Sequence, residues 1–358
     1  MRIGFFGFPK TGKSALFSLL TGAPPAVPGS REEVRVGIAR VPDGRLDRLS
    51  AMYHPKKTTP ATVEYVDLQG VEKGEAAESL PLDQLRVVDA LAHVVRGFRD
   101  DAIPHVEGPI DPARDVSTME TELLLADHTI AERRIEKLEM AVKKAHRDED
   151  RKELEVLRKC LEAIERETPL RNLDFSDEDS KRLRGFTFLS LKPLLVVVNA
   201  DESDASRLAS GASAFGLEEV AGRHATEVVC LSARIEGEIS ELEAADAAAF
   251  RRDLGIVEPA LDRMIRASYR LLGRISFFTV GDDECRAWTI RRGTPARQAA
   301  GAVHSDIERG FIRAELVAYD DLAAAGSWAA CRERGTLRLE GKDYVVRDGD
   351  VINFRFGV

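Results

Sequence analysis

The run Gly7-Phe8-Pro9-Lys10-Thr11-Gly12-Lys13-Ser14 sets two glycines, with four residues between them, ahead of Lys and Ser. That spacing lets the backbone turn its N–H groups inward around a phosphate, and glycine tolerates the angles this demands. Met1 to Phe6 (MRIGFF) reads as a short buried strand, and Ala15 to Leu20 (ALFSLL) has helical spacing. Strand, glycine loop and helix in this order form the context in which the pattern binds phosphate, because the helix adds its positive N-terminal end. Gly7 through Ala15 are therefore expected to hold a nucleotide. Lys13 would reach the β and γ phosphates and support the charge during transfer, and the Ser14 hydroxyl would ligate Mg²⁺.

Other residues complete such a site. Thr62 to Gly70 (TVEYVDLQG) reads as a strand ending near Asp67, a carboxylate placed to hold Mg²⁺ through water. Gly70, three residues on, would offer its N–H to the γ-phosphate. Val71 stands where many GTPases carry a water-orienting Gln, so that group must come from elsewhere. The loop from Thr21 to Val34 offers only Ser30 in place of the usual switch Thr. Asn199-Ala200-Asp201-Glu202 follows the apolar run Leu191 to Val198, where guanine-specific proteins carry N-K-x-D. Glu202 is longer than Asp and the Lys is replaced by Ala200, a combination that disfavours guanine. Ser232 and Ala233, after the strand Glu227 to Leu231, sit where such folds touch the base. His93 lies within the strand Ala90 to Phe98 and reads as structural, whereas His105 lies in a loop punctuated by Pro and Gly.

These positions need a scaffold. The succession of strands and helices implies a doubly wound, mostly parallel α/β sheet with ligand at the strands' C-terminal ends. Between Ser117 and Glu167 the pattern changes. Ala131, Ile135, Leu138 and Val142, then Leu154, Leu157, Leu161 and Ile164, keep a helical seam with charges on the other faces. This predicts an antiparallel helical hairpin inserted into the nucleotide domain. Leu261 to Leu272 reads as a helix closed by Gly273. Beyond it, Ser276 to Val280, Ala287 to Ile290 and Tyr344 to Phe356 read as strands of a separate α+β module. The expected division is 1–116 with 181–273 for the nucleotide domain, 117–180 for the hairpin and 274–358 for the last module.

At 358 residues the chain has length for two or three domains. Lys and Arg total 52 against 61 acidic residues, a net charge of −9 that argues against indiscriminate nucleic-acid binding. Nothing points to sequence-specific DNA recognition. Cys160, Cys230, Cys285 and Cys331 form no paired motif, so neither a disulfide framework nor a zinc site is expected. The start lacks a signal-peptide layout and no apolar run is long enough for a membrane span, so a cytoplasmic protein is expected.

Several longer stretches carry a resemblance. VPDGRLDRL (Val41 to Leu49), HVVRGF (His93 to Phe98), HVEGPIDPARD (His105 to Asp115), TELLLAD (Thr121 to Asp127), RAWTI (Arg286 to Ile290), ERGFIRAE (Glu308 to Glu315) and EGKDYVVRDGDVINF (Glu340 to Phe354) are similar to the YchF / Obg-like ATPase family, part of the Obg branch of phosphate-loop GTPases. The resemblance runs nearly end to end. It implies a coiled-coil insertion, a C-terminal TGS module of ubiquitin-like β-grasp type, and ATP as substrate through an N-x-x-E signature matched by Asn199 and Glu202. It implies a hydrophobic residue in place of the catalytic Gln, matched by Val71, and a substitute histidine, for which His105 is the best match. It also implies ribosome or RNA partners, through the TGS and coiled-coil regions, and a link to stress responses. The chain departs from the family at Lys10, Thr11 and Ala15, in the absent N-Y/F-P-F-C-T segment, and at Gly74 to Leu85 (GEAAESLPLDQL).

Two readings follow. One is a slow Mg²⁺-dependent ATPase. The other is a hydrolysis-deficient nucleotide-sensing module for the ribosome. A GTPase rests on the superfamily alone. Arg291, Arg292, Arg297, Arg309 and Arg313 form a candidate RNA-facing patch.

Overall fold

A computed structural model of the chain describes residues 1–24, 34–68, 82–145, 147–256 and 258–357. Ser30, Gly70 and Val71 lie outside the described residues. The chain divides into two compact units, one of residues 1–38 and 64–267, the other of 39–63 and 268–358. In chain order the elements used below are β1 (Arg2–Phe6), α1 (Lys13–Thr21), β2 (Val34–Arg40), α2 (Gly44–Tyr53), β3 (Lys57–Thr59), β4 (Thr62–Leu68), α3 (Leu82–Arg86), β5 (Ala90–Gly97), α4 (Pro112–Ala145), α5 (Asp148–Glu165), β6 (Leu194–Ala200), β7 (Thr226–Leu231), β8 (Arg274–Thr279), β9 (Glu284–Arg291), β10 (Phe311–Ala318), β11 (Arg338–Glu340) and β12 (Asp350–Phe356).

The first unit is organised on a sheet of order β2-β4-β1-β5-β6-β7. β1 runs parallel to β4 and β5, and β6 parallel to β5 and β7. Parallel strands buried on both faces need continuous apolar sequence, which is why every residue of β6 is buried. Register aligns Phe6 with His93 and Asn199 with Leu231. The C-terminal ends therefore share one edge, and Gly7, Asp67 and Asn199 collect there.

α4 and α5 form the helical hairpin. Leu124, Ala131, Ile135 and Leu138 pack with Leu154, Leu157, Cys160 and Ile164 in one apolar cluster. Pro112 stands at the first helical position, where its missing N–H costs nothing, so α4 begins more than a turn before Ser117. Asp127 ties α4 to the turn that leads into β6 and to the end of α3. Its buried carboxylate accepts the N–H groups of Leu189 (2.9 Å) and Ser190 (2.7 Å) and pairs with Arg86 at 3.3 Å.

The second unit carries a sheet of order β11-β10-β12-β8-β9-β3. β8 and β9 form an antiparallel hairpin, and β12 returns parallel to β8. The helix Ala296–Val303 supplies Ala296, Ala299 and Ala300 to a core with Ile275, Phe277, Leu316, Ile352 and Phe354. Central parallel strands with a helix packed across one face make this a β-grasp module. The last strand begins at Asp350, not Tyr344, because the side chain of Asp350 accepts the Arg347 N–H and closes a turn.

Candidate nucleotide site

Gly7 and Gly12 adopt φ of 131° and 97°, with Lys10 between them at 60°. A side chain at Gly7 would come within 2.5 Å of the Val94 carbonyl, and one at Gly12 would strike the Asn199 amide. Glycine is required at both positions by angle and by space. Gly12 has no side chain with which to cap α1, and the helix turns its positive end toward the loop. Lys13 Nζ donates to the carbonyls of Gly7 (3.0 Å) and Phe8 (2.6 Å), and the Thr11 hydroxyl donates to Phe8 at 3.2 Å. Asn199 braces the loop from outside. Its Nδ2 donates to the Thr11 carbonyl at 3.0 Å and its Oδ1 accepts the Ala233 N–H at 2.9 Å. Ser232 caps the following helix, Ala233–Ser240, by accepting from Ile235 N–H.

Asp67 sits at the end of β4 and is fully buried. Among the described residues neither carboxylate oxygen has a well-aligned hydrogen bond. Burial pushes its pKa up, and the Ser14 hydroxyl, Arg35 and Lys13 pull it back in that order. Arg35 Nη1 stands 3.6 Å from Asp67 Oδ2 while its guanidinium lies over the Phe17 ring at 4.7 Å. Unmatched carboxylate oxygens beside a hydroxyl are hard-cation chemistry, and Ser14 with Asp67 fits Mg²⁺. Arg35 was not foreseen in the sequence, where a single Arg inside Val34-Arg35-Val36 carries no signal.

The two histidines differ. His93 is buried under the loop, stacked on Phe6 with ring centroids 4.7 Å apart. Burial, then the nearby Lys13 charge, drive its pKa down to about 3, so it is a neutral packing group. The His105 side chain is also shielded, its ring edge-on to Phe8 of the loop at 5.8 Å. Its Nδ1 accepts the Glu107 N–H at 3.1 Å, and its Nε2 lies 2.9 Å from Asp115 Oδ2.

On the base side, Glu202 Oε2 meets Arg234 Nε at 2.9 Å. Arg234 directly follows Ala233, a position whose relevance only the fold reveals. The structure thus gathers Gly7, Phe8, Pro9, Lys10, Thr11, Gly12, Lys13, Ser14 and Ala15 with Asp67, Asn199, Ser232 and Ala233 at one sheet edge. Glu202 is at its rim, and His105 is adjacent through Phe8. Gly70 is outside the described residues.

Such a loop on such a sheet defines a phosphate-loop nucleotide-binding protein, here carrying a helical hairpin and a β-grasp module. A Bacillus subtilis (strain 168) protein named ribosome-binding ATPase YchF is 44% identical over 362 residues, spanning 99% of each chain. Its namesake in Escherichia coli O157:H7 is 39% identical over 364 residues, spanning 100% of this chain and 99% of its own. The solved Schizosaccharomyces pombe YchF GTPase matches with a TM-score of 0.87 at 30% identity, covering 99% of this chain and 97% of that one. The family model YchF-GTPase_C, described as a protein of unknown function (DUF933), matches residues 274–357. The chain belongs to the YchF family. Among the described residues no helix is long and apolar enough to cross a membrane.

Proposed function

We propose that this protein binds ATP with Mg²⁺ and hydrolyses it slowly to ADP and phosphate while associating with the ribosome or its RNA. The observation that carries the reading is the phosphate cradle, in which Gly7 and Gly12 occupy conformations closed to other residues and Lys13 and Ser14 begin α1. Lys13 exchanges its hold on the Gly7 and Phe8 carbonyls for the β and γ phosphates. Ser14 and Asp67 hold Mg²⁺, which when bound neutralises phosphate charge. Water adds to the γ-phosphorus as the bond to the β-bridging oxygen breaks, the electron pair leaving on ADP. His105 would orient that water, a role that needs a free ring nitrogen.

Preference for adenine follows from the rim. A carboxylate reads guanine by accepting from its two N–H donors, and Glu202 is already answered by Arg234. The B. subtilis and E. coli relatives are named ATPases and the S. pombe relative a GTPase. The same two bacterial names include ribosome binding, and Arg291, Arg292, Arg297, Arg309 and Arg313 are all exposed on the β-grasp module. The domain division proposed from sequence assigns partner contacts to 117–180 and 274–358.

The test is calorimetric binding of ATP and GTP with Mg²⁺, followed by single-turnover cleavage, for wild type and Lys13→Ala. Tight ATP binding lost in Lys13→Ala, with measurable cleavage, supports the enzyme. Binding without cleavage supports the hydrolysis-deficient module, a reading favoured by Nδ1 of His105 already accepting the Glu107 N–H while its Nε2 faces Asp115. Preference for GTP would overturn the adenine assignment.

A further inference from the structure

Arg35, the second residue of β2, brings a positive charge to the one carboxylate of the nucleotide site. Its side chain is 9% exposed and that of Asp67 1%, so the two charges meet almost out of water. Nη1 lies 3.6 Å from Asp67 Oδ2, yet among the described residues neither Nη1 nor either Asp67 oxygen has a well-aligned hydrogen bond. Arg134 and Glu153 show the other way to pair these groups, with two bonds of 2.7 and 2.9 Å across the helical hairpin. A fork of that kind is strong and directional. The contact of Arg35 with Asp67 is charge beside charge, without the bonds that would lock it. Lys13 is the other cation within range of Asp67, and its Nζ donates to the carbonyls of Gly7 and Phe8.

The Arg35 guanidinium has further partners of its own. Nη2 donates to the Pro24 carbonyl, and the group lies over the Phe17 ring at 4.7 Å. Giving up Asp67 therefore does not strip it of partners. An arginine held in this way can leave a carboxylate and stay in the same corner of the fold.

Two cations facing one buried carboxylate repel each other strongly, because little water screens them. We infer that Arg35 is the resident counter-ion of Asp67 and competes with the divalent cation for it, so that the metal binds weakly by itself and gains its hold with the nucleotide phosphates. Those phosphates bring negative charge that offsets the repulsion between metal and guanidinium. The inference rests on the reading that Asp67 supports Mg²⁺.

The experiment titrates Mn²⁺ into the full chain, without nucleotide and with saturating ADP, and follows the loss of the free-ion EPR signal. Wild type, Arg35→Gln, Asp67→Asn and the double variant are compared. Removing the competing charge should tighten Mn²⁺ binding without nucleotide by at least about tenfold in Arg35→Gln. The gain should vanish when Asp67→Asn is added, because the carboxylate is what the two cations contest. Equal or weaker Mn²⁺ binding by Arg35→Gln overturns the inference, as does a gain that persists without Asp67. The underlying reading fails by a different result: if Asp67→Asn binds Mn²⁺ in the ADP complex as tightly as wild type, Asp67 is no metal partner. Should Arg35→Gln not fold, ¹⁵N NMR of the Arg35 guanidinium in wild type decides. Its Nε–H signal must shift as Mg²⁺ is added to the ADP complex, and a signal indifferent to Mg²⁺ overturns the competition.

Discussion

Asp67 and Asp127 are both fully buried in the same unit, and burial raises the pKa of both. They have opposite surroundings. Asp127 accepts two backbone N–H groups and pairs with Arg86, so its charge is met directly and fastens α4 to the turn before β6. Asp67 has no well-aligned hydrogen bond and faces a guanidinium 3.6 Å away. Arg35, Lys13 and the Ser14 hydroxyl answer its charge less directly, an arrangement that leaves room for a cation. The proposed Mg²⁺ role of Asp67 rests on this difference, because burial alone does not distinguish the two carboxylates.

Substitution should split the two cleanly. Asp127→Ala leaves two buried N–H groups and Arg86 without their acceptor, and urea unfolding should show a loss of about 3 to 5 kcal/mol. ATP affinity of the folded fraction should not change. A loss below about 1 kcal/mol would break the contrast. Acid supplies the next largest effect, through a third buried group. The folded pKa of His93 is about 3, below the ordinary 6.5, so the unfolded state binds more protons between those values. Stability is full above pH 6.5 and falls by about 1.4 kcal/mol per unit as pH drops toward 3. The two aspartates, whose folded pKa values are raised, oppose this fall between those raised values and the ordinary carboxylate range, part of the same acid window. His93→Gln should flatten the slope between about pH 6 and 4.5 in thermal melts; an unchanged slope would assign the acid response elsewhere.

Asp67→Asn is expected to change stability by less than about 1 kcal/mol in either direction, because a costly buried charge is removed. It should still lower ATP affinity in Mg²⁺ by about tenfold. If it unfolds the protein, Asp67 is structural after all. The smallest effect belongs to Arg35→Gln, which removes a compensating charge without breaking a hydrogen bond to Asp67. A Tm lower by a few degrees, recovered on adding Mg²⁺ and ATP, would sharpen the assignment of Asp67 as a cation partner.

Legibility in the sequence follows the range of the forces involved. The glycine loop is readable because steric limits on φ act within a residue, and Gly7 and Gly12 take the positive angles that their spacing implies. The parallel core and the hairpin are readable because burial imposes period and length. β10 escaped because Arg313 and Glu315 interrupt its apolar run, and only the fold shows Glu315 met by Arg313 and Arg355. Arg35, Asp115, Asp127 and Arg234 escaped for a related reason. Their partners are set by tertiary placement, and no local pattern announces that residues 39–63 join the C-terminal unit.

Asn199 has a further consequence in time. The amide that holds the Thr11 carbonyl is 188 residues further along the chain, and the N–H it accepts in turn is 34 beyond that. A ribosome adding about 5 to 20 residues per second needs roughly 10 to 40 s to travel from the phosphate loop to its brace. The whole helical hairpin emerges in that interval. The nucleotide pocket, begun near the start of the message, is thus finished only when most of the first unit has been made, and a nascent chain has nothing firm with which to grip ATP until then.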